Sequence, residues 1–259
     1  MSDGIPVIIP LGTGSFSENL ELRILLRSIE RHLKGHGEIY LATTACPNWV
    51  NQDSLNVVPI PDRWQTCKDA NLWEKTIETL RKHKIGQFIF AADDNVFMQD
   101  VDADKIPLIY NPRGLQHFRQ PPFNRWRLRM LNTLNWARMH AGITLNDRNF
   151  DAHVPQLFNG HAILGRLEEA PYNREPGLCI YTAWRVLEHL YDPMPEALPQ
   201  EQYKWTFQNE CAELIQSLSD KDLQSRLFIG YNDGAISGGL LKRLLKIFPQ
   251  QSIYEREGL

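Results

Sequence analysis

The chain has few cysteines, no long apolar run and little net charge, and each absence removes a class of protein. Cys46, Cys67, Cys179 and Cys211 are scattered through 259 residues, with no CxxC pair and no histidine at zinc-finger spacing. Four isolated thiols argue against a zinc-finger module and fit a reducing compartment better than a disulfide framework. No stretch approaches the ~20 consecutive apolar residues of a membrane span. The opening MSDGIPVIIPLG has an acidic start and a short apolar stretch, unlike a signal peptide. A soluble, cytoplasmic protein is expected. The net charge of −3 gives no global pull toward nucleic acid or membrane, so any such binding must come from a local patch. There is no internal repeat and no low-complexity tract.

What is present is ordinary globular composition: 42% hydrophobic and 23% charged residues, enough to bury the core of one large α/β domain. Pro6–Leu11 (PVIIPL) reads as a buried strand, left through the turn GTGS at Gly12–Ser15. Leu22, Leu25, Leu26, Ile29 and Leu33 then fall at helical spacing, with Ser17, Glu18 and Asn19 as candidate caps. Glu38–Thr43 and Asn56–Ile60 read as strands, Pro59 and Pro61 ending the second, and Asn71–His83 as a helix. Strands alternating with helices predict a mostly parallel sheet covered by helices. After Ile109 the texture becomes irregular, with helices expected over Arg125–His140, Ile180–Leu190, Gln208–Leu218 and Gly238–Phe248. The expectation is one domain over 1–259, with 1–110 as its nucleotide half and 111–259 as its acceptor half.

The most informative segment is IGQFIFAADDNVFM, Ile85–Met98. Phe88–Ala92 does not alternate with polar residues, so it reads as a strand buried on both faces. It stops on Asp93 and Asp94, with Asn95 beside them. In open α/β sheets the ligand crevice lies outside the carboxyl ends of the strands. Paired carboxylates there suit Mg²⁺ or Mn²⁺ shared with a phosphate-bearing substrate. An acidic, solvated turn is the plain structural alternative.

Other residues join this reading. Gly12, Thr13 and Gly14 can present backbone amides to a phosphate, although the loop lacks a P-loop lysine and a third glycine. Asp62, Arg63 and Asn71 flank the third strand on the same edge. From Arg113 to Arg129 no acidic residue interrupts Arg113, Arg119, Arg125, Arg127 and Arg129, interleaved with His117, Phe118, Phe123 and Trp126. Guanidinium groups with aromatics among them suit phosphates and sugars or bases, and a solvated basic helix face is the alternative. Asp151 and His153 are candidates for acid–base work or metal ligation, with His161 as a competitor. Asn232 and Asp233 stand in a glycine-flanked turn, candidates for acceptor contact.

SENLELRILLRSIERHL, IYLATTACPNWV, VVPIPD and FIFAADDNVFM, in this order over about Ser17–Tyr110, resemble the Stealth-type sugar-phosphate transferases. AHVP at Ala152–Pro155 is similar to that family's later His-x-Pro element. More broadly the chain resembles GT-A glycosyltransferases. The resemblance implies a Rossmann-like GT-A fold, a nucleotide-sugar donor (a UDP-sugar being the first guess), and Mn²⁺ or Mg²⁺ on Asp93 and Asp94. It also implies Asn19 and Arg23 near the donor, and His153 near the reacting centre. Ala92 stands where the Stealth pattern has Asn, and the second half carries no further match.

The function expected is metal-dependent transfer of a sugar, or a sugar phosphate, to a hydroxyl of a phosphate-bearing acceptor. Polysaccharide and a hydroxylated base of duplex DNA are both open as acceptors. The rivals are a non-catalytic carbohydrate- or nucleic-acid-binding protein on a degenerate GT-A fold, and a metal-dependent phosphodiesterase or nuclease. The oligomeric state is not legible.

Overall fold

The computed structural model describes residues 4–13, 18–65, 67–141, 149–174, 176–190, 196–207, 212–232, 239–256 and 258. Its centre is a five-stranded sheet in the order β4 (Asn56–Pro59), β3 (His36–Thr43), β1 (Ile5–Leu11), β5 (Gln87–Phe90), β9 (Gln156–Asn159). The first four are parallel and β9 runs antiparallel on the edge. β1 and β5 sit inside, which is why their residues are apolar on both faces: Val7, Ile8, Ile9, Phe88, Ile89 and Phe90 are fully buried.

The alternation of strand side chains divides the core. Ile8, Phe88 and Phe90 face α2 (Lys68–His83), α4 (Arg125–Ala141) and α6 (Ile180–Glu188), around Trp73 and Trp184. Trp184 meets Trp73, Phe88, Phe90 and Phe158 edge-on at 5.2–5.7 Å, an arrangement the ring quadrupoles favour. Val7, Ile9, Leu41 and Ile89 face the Leu22–Ile29 stripe of α1 (Leu20–His32).

A second sheet stands beside the first: β11 (Lys204–Phe207), β12 (Phe228–Tyr231) and β6 (Asn95–Phe97), with β12 parallel to β11 and antiparallel to β6. It packs with α1 residue Ile24 and with α9 (Leu240–Ile247). Two short parallel pairs complete the pairing, β2 (Leu33–Lys34) with β7 (Val101–Asp102) and β8 (Ile109–Tyr110) with β10 (Leu198–Pro199). Short helices α3 (Leu115–Phe118), α5 (Gly160–Gly165), α7 (Ala212–Ser217) and α8 (Asp220–Leu223) fill the connections.

The expected elements of the first half are found, with α2 starting three residues early at Lys68. The second half is corrected. The helix expected over Gln208–Leu218 is shorter, Ala212–Ser217, and is preceded by β11; 208–211 lie outside the described residues. The strands β11 and β12 were not foreseen: β12 is four residues buried without alternation, and β11 is four residues with a buried lysine and an exposed threonine, so neither carries a period to read. Asn19 occupies the cap position of α1 in a left-handed conformation and its side chain makes no capping bond; Ser17 lies outside the described residues. No helix among the described residues is long and apolar enough to cross a membrane.

Candidate active site

The chain leaves β5 at the carboxyl edge of the sheet and turns over Ala92–Asn95, where the Asn95 amide closes on Ala92 O at 3.0 Å. Asn95 is fully buried and holds the turn. Its Oδ1 accepts from Ala92 N at 3.1 Å, and its Nδ2 donates to Asp94 Oδ1 at 3.1 Å and His153 O at 3.2 Å. Asp93 and Asp94 are thereby presented between the two sheets. The buried strand expected from the sequence ends here, on a turn whose Asp93 and Asp94 are half-buried.

Facing them, 151–153 precedes β9. His153 Nε2 lies 3.2 Å from Asp151 Oδ1, and His153 Nδ1 lies 4.0 Å from Asp94 Oδ2. The other Asp151 oxygen accepts from Trp126 Nε1 at 3.0 Å. A line of contacts therefore runs from Trp126 through Asp151 and His153 to Asp94. Only His153 in that line is substantially exposed, its side chain 47% against 4% for Asp151. Its backbone is left-handed, φ 44°, which is uncommon for a residue with a Cβ.

Burial and neighbouring charges set the electrostatics of the site. Burial and Asp93 push the Asp94 carboxyl up to about 8, with Glu21 adding to the rise and Lys204 opposing it. Burial holds the His153 imidazole below its ordinary value; Asp151 pulls the other way, while Lys204 and Arg129 add to the lowering. A neutral imidazole is the form that ligates metal. In an octahedral shell with ligands about 2.1 Å from Mg²⁺ or Mn²⁺, neighbouring ligands stand roughly 3 Å apart and opposite ones roughly 4.2 Å; the 4.0 Å between Asp94 and His153 lies nearer the second. Among the described residues no group of three or more His, Cys, Asp or Glu side chains forms a ready cage.

The loops on the same edge are organised around Asp62. Lys75, fully buried on α2, donates to Leu11 O at 2.6 Å and to Asp62 Oδ1 at 2.5 Å. Asp62 Oδ2 accepts from Thr13 N at 3.1 Å and Thr13 Oγ1 at 2.9 Å. Burial raises the Asp62 carboxyl, but Lys75 and Thr13 outweigh it and keep it below the usual range. Asn71 Oδ1 accepts from the amides of Arg63 and Trp64 at 2.9 Å, and its Nδ2 donates to Trp64 O at 2.9 Å. Asp62 and Asn71 thus shape the loops after β1 and β4. A Cβ on Gly12 would meet nothing within 4 Å, so packing does not require that glycine. Gly14 lies outside the described residues.

Asp62→Asn is expected to cost roughly 2–4 kcal/mol, since it leaves the Lys75 ammonium buried without its counter-charge. Urea unfolding measures this loss. An unchanged midpoint would contradict the assigned role of the pair.

The remaining candidates separate. Arg23 packs over the Trp49 ring at 4.6 Å and reaches Glu255 at 3.9 Å, so it belongs to the contact with the C-terminal segment. The arginine segment does not act as one patch. Arg129 turns inward to Asp69 at 2.9 Å, and Arg127 Nη1 donates to Gln120 O at 2.5 Å. Arg113, Arg119 and Arg125 are exposed, as is Phe123. Trp126, expected as a stacking surface, is instead tied to Asp151. Asn232 is exposed directly after β12, at the strand end flanking Asp93 and Asp94. Asp233 lies outside the described residues. His161 lies far down the sheet, its ring beside Gly86 at the opposite end of β5.

Sequence reading missed Lys204, Gly230 and Tyr181. The Tyr181 ring lies 5.6 Å from that of His153. A lone lysine opening a short strand carries no signal; the one clue was the Gly-Tyr at 230–231 after two apolar residues.

No protein-family model matches the chain, and no curated protein matches it. Solved structures do. The galactosyltransferase LgtC, solved in complex with donor and acceptor sugar analogues, superposes with a TM-score of 0.50 at 8% identity, covering 96% of this chain and 96% of that one. A glycosyltransferase involved in the glycosylation of the major capsid of PBCV-1 gives 0.42 at 10% identity, over 92% of this chain and 99% of that one. The apo structure of the bifunctional glycosyltransferase WbbM gives 0.46 at 10% identity, over 89% and 46%. The likeness to LgtC gives the fold: a mixed α/β, Rossmann-like architecture of the GT-A type, with a mostly parallel central sheet.

Proposed function

We propose that the protein is a metal-assisted glycosyltransferase that moves a sugar from a nucleotide-sugar to an acceptor hydroxyl. The observation that carries this reading is the facing pair of Asp94 and His153, 4.0 Å apart at the carboxyl edge of the sheet and backed by Asp151. Asp94 and His153 would hold Mn²⁺ or Mg²⁺, with Asp93 adjacent. When bound, the cation supplies Lewis-acid neutralisation of the diphosphate leaving group. Asp151, 3.2 Å from Nε2, would fix the ring by accepting from it, which would leave the Nδ1 lone pair toward Asp94. With Asp151 placed between Trp126 and the His153 ring, and His153 Nδ1 directed to Asp94, the arrangement favours these residues as orienter and ligand over acceptor base.

The donor's nucleotide would lie along the loops after β1 and β4, over Gly12, Thr13 and the Asp62-held edge. The acceptor would enter past Trp126. The exposed Arg113, Arg119 and Arg125 with Phe123 would hold its phosphates, and Asn232 would flank it. A hydroxylated base in duplex DNA and a phosphate-bearing polysaccharide both meet this chemistry. Steep salt dependence of duplex binding favours the first.

The test is a donor screen: protein, Mn²⁺ and a panel of nucleotide-sugars headed by UDP-sugars, with free nucleotide measured. Release of nucleoside diphosphate, abolished by EDTA, is the expected result. Release of the monophosphate would mean sugar-phosphate transfer, the chemistry that the Stealth-type resemblance implies. No release from any donor, with or without candidate acceptors, would favour a binding protein on a degenerate fold.

A further inference from the structure

Lys204 and Lys75 are the buried lysines among the described residues, and the donor-edge loops account only for Lys75. Lys204 opens β11, and its side chain crosses the neighbouring strand at Gly230. A Cβ on Gly230 would lie 2.5 Å from Lys204 Cε, 2.8 Å from Nζ and 2.7 Å from His153 O, so no side chain fits there without displacing one of them. Past that gap, Nζ donates to Ala152 O at 2.6 Å.

This carbonyl is the middle one of three in succession, each taken by a side chain from a different part of the fold. Asn111 Nδ2 bonds Asp151 O at 3.4 Å, Lys204 Nζ bonds Ala152 O, and Asn95 Nδ2 bonds His153 O at 3.2 Å. Just before them, Gln156 Nε2 bonds Phe150 O at 3.0 Å. The segment lies outside any helix or strand and carries the left-handed His153, a conformation unfavourable for a residue with a Cβ. Of the four donors, the ammonium makes the shortest bond and the one that is charge-assisted.

Building on the reading of Asp94 and His153 as cation ligands, we propose that Lys204 is a positioning residue: threaded over Gly230, it clamps the 151–153 backbone so that the His153 ring stays between Asp151 and Asp94. A purely electrostatic role predicts the opposite effect on the cation, since removing a positive charge beside Asp94 strengthens divalent binding. Removing a clamp weakens it.

The experiment compares the wild-type chain with Lys204→Met, which keeps the apolar stem. The readouts are ¹⁵N NMR of the histidine rings and Mn²⁺ binding by electron paramagnetic resonance. Wild type is expected to show His153 as a single tautomer protonated at Nε2. Lys204→Met is expected to lose that single tautomer and to bind Mn²⁺ at least about tenfold more weakly, the scale of losing a ligand's support. A variant that only melts earlier, with the tautomer and the Mn²⁺ affinity kept or the affinity raised, overturns the proposal. If Lys204→Met does not fold, the wild type decides through the coupling across the Lys204 Nζ to Ala152 carbonyl hydrogen bond: its detection supports the clamp and its absence overturns it. Wild-type protein that binds no Mn²⁺ overturns the functional reading instead, and the tautomer comparison still decides Lys204.

Discussion

Asp94→Asn is expected to lower metal-dependent release of nucleotide from the donor by about 10³-fold or more while making the metal-free protein more stable at neutral pH. The first effect follows from removing a charged ligand at the point where leaving-group charge develops. The second follows from linkage. In the fold the Asp94 carboxyl titrates at about 8, against an ordinary 3.8, so the folded state binds a proton across that window more tightly than the unfolded chain. The stability that the protonated Asp94 contributes is therefore full below about pH 4 and is lost as pH rises through about 8, where the ionised carboxylate is held beside Asp93 and Glu21. The amide carries no charge and escapes this loss. For a chain of this size each kcal/mol relieved raises the melting temperature by about 2–4 °C. Melting scans at pH 5 and pH 8 without metal should show wild type losing stability and Asp94→Asn holding it. Added Mn²⁺ with UDP should reverse the order, because a ligand that binds only the folded state stabilises wild type alone. A variant with wild-type turnover, or one destabilised at pH 8, would contradict this role.

The second large effect is expected from Asp151→Asn. Trp126 Nε1 donates to this buried carboxylate at 3.0 Å, and His153 Nε2 lies 3.2 Å from its other oxygen, where the proposed Nε2–H tautomer would make it a second donor. A carboxylate accepts both, whereas an amide offers one accepting oxygen and one donating nitrogen. One of the two donors must then face another donor. Where His153 loses, it turns or changes tautomer, and Nδ1 no longer presents its lone pair toward Asp94. Metal affinity should fall about 10–100-fold, the usual cost of losing such a support, and turnover should fall with it. Mn²⁺ titration checks this, with Trp126→Phe as the comparison. That change removes one donor and leaves the carboxylate to His153, so its effect on affinity should stay within about threefold. Equal losses in both variants would mean that Asp151 serves packing and not the imidazole.

The first half of the fold was legible because its strands are central and parallel: Val7–Ile9 and Phe88–Phe90 are apolar without interruption, and the helices between them carry full stripes. Asp93 and Asp94 were legible for the same reason, since a doubly buried strand that stops on two acids has to present them at a sheet edge. The rest of the site was opaque because it depends on tertiary crossings. Nothing local connects Lys204 with Ala152, 52 positions apart, or Asn95 with His153, 58 apart. Asp151 and His153 could be named as candidates, but their division of labour rests on which oxygen meets Trp126 and which nitrogen meets Asp94. The arginine segment misled in part for a related reason. Charge spacing does not say that Arg129 turns inward to Asp69, whose carboxyl burial pushes up to about 6, while Arg113, Arg119 and Arg125 stay in solvent.

The most direct measurement is the anomalous difference map of a crystal grown with Mn²⁺ and UDP. A single manganese peak between the Asp94 carboxylate and His153 Nδ1, touching the nucleotide's diphosphate, is the result expected here. A manganese ion held elsewhere, or a diphosphate bound away from that turn with Asp94 and His153 left to each other, would contradict the account.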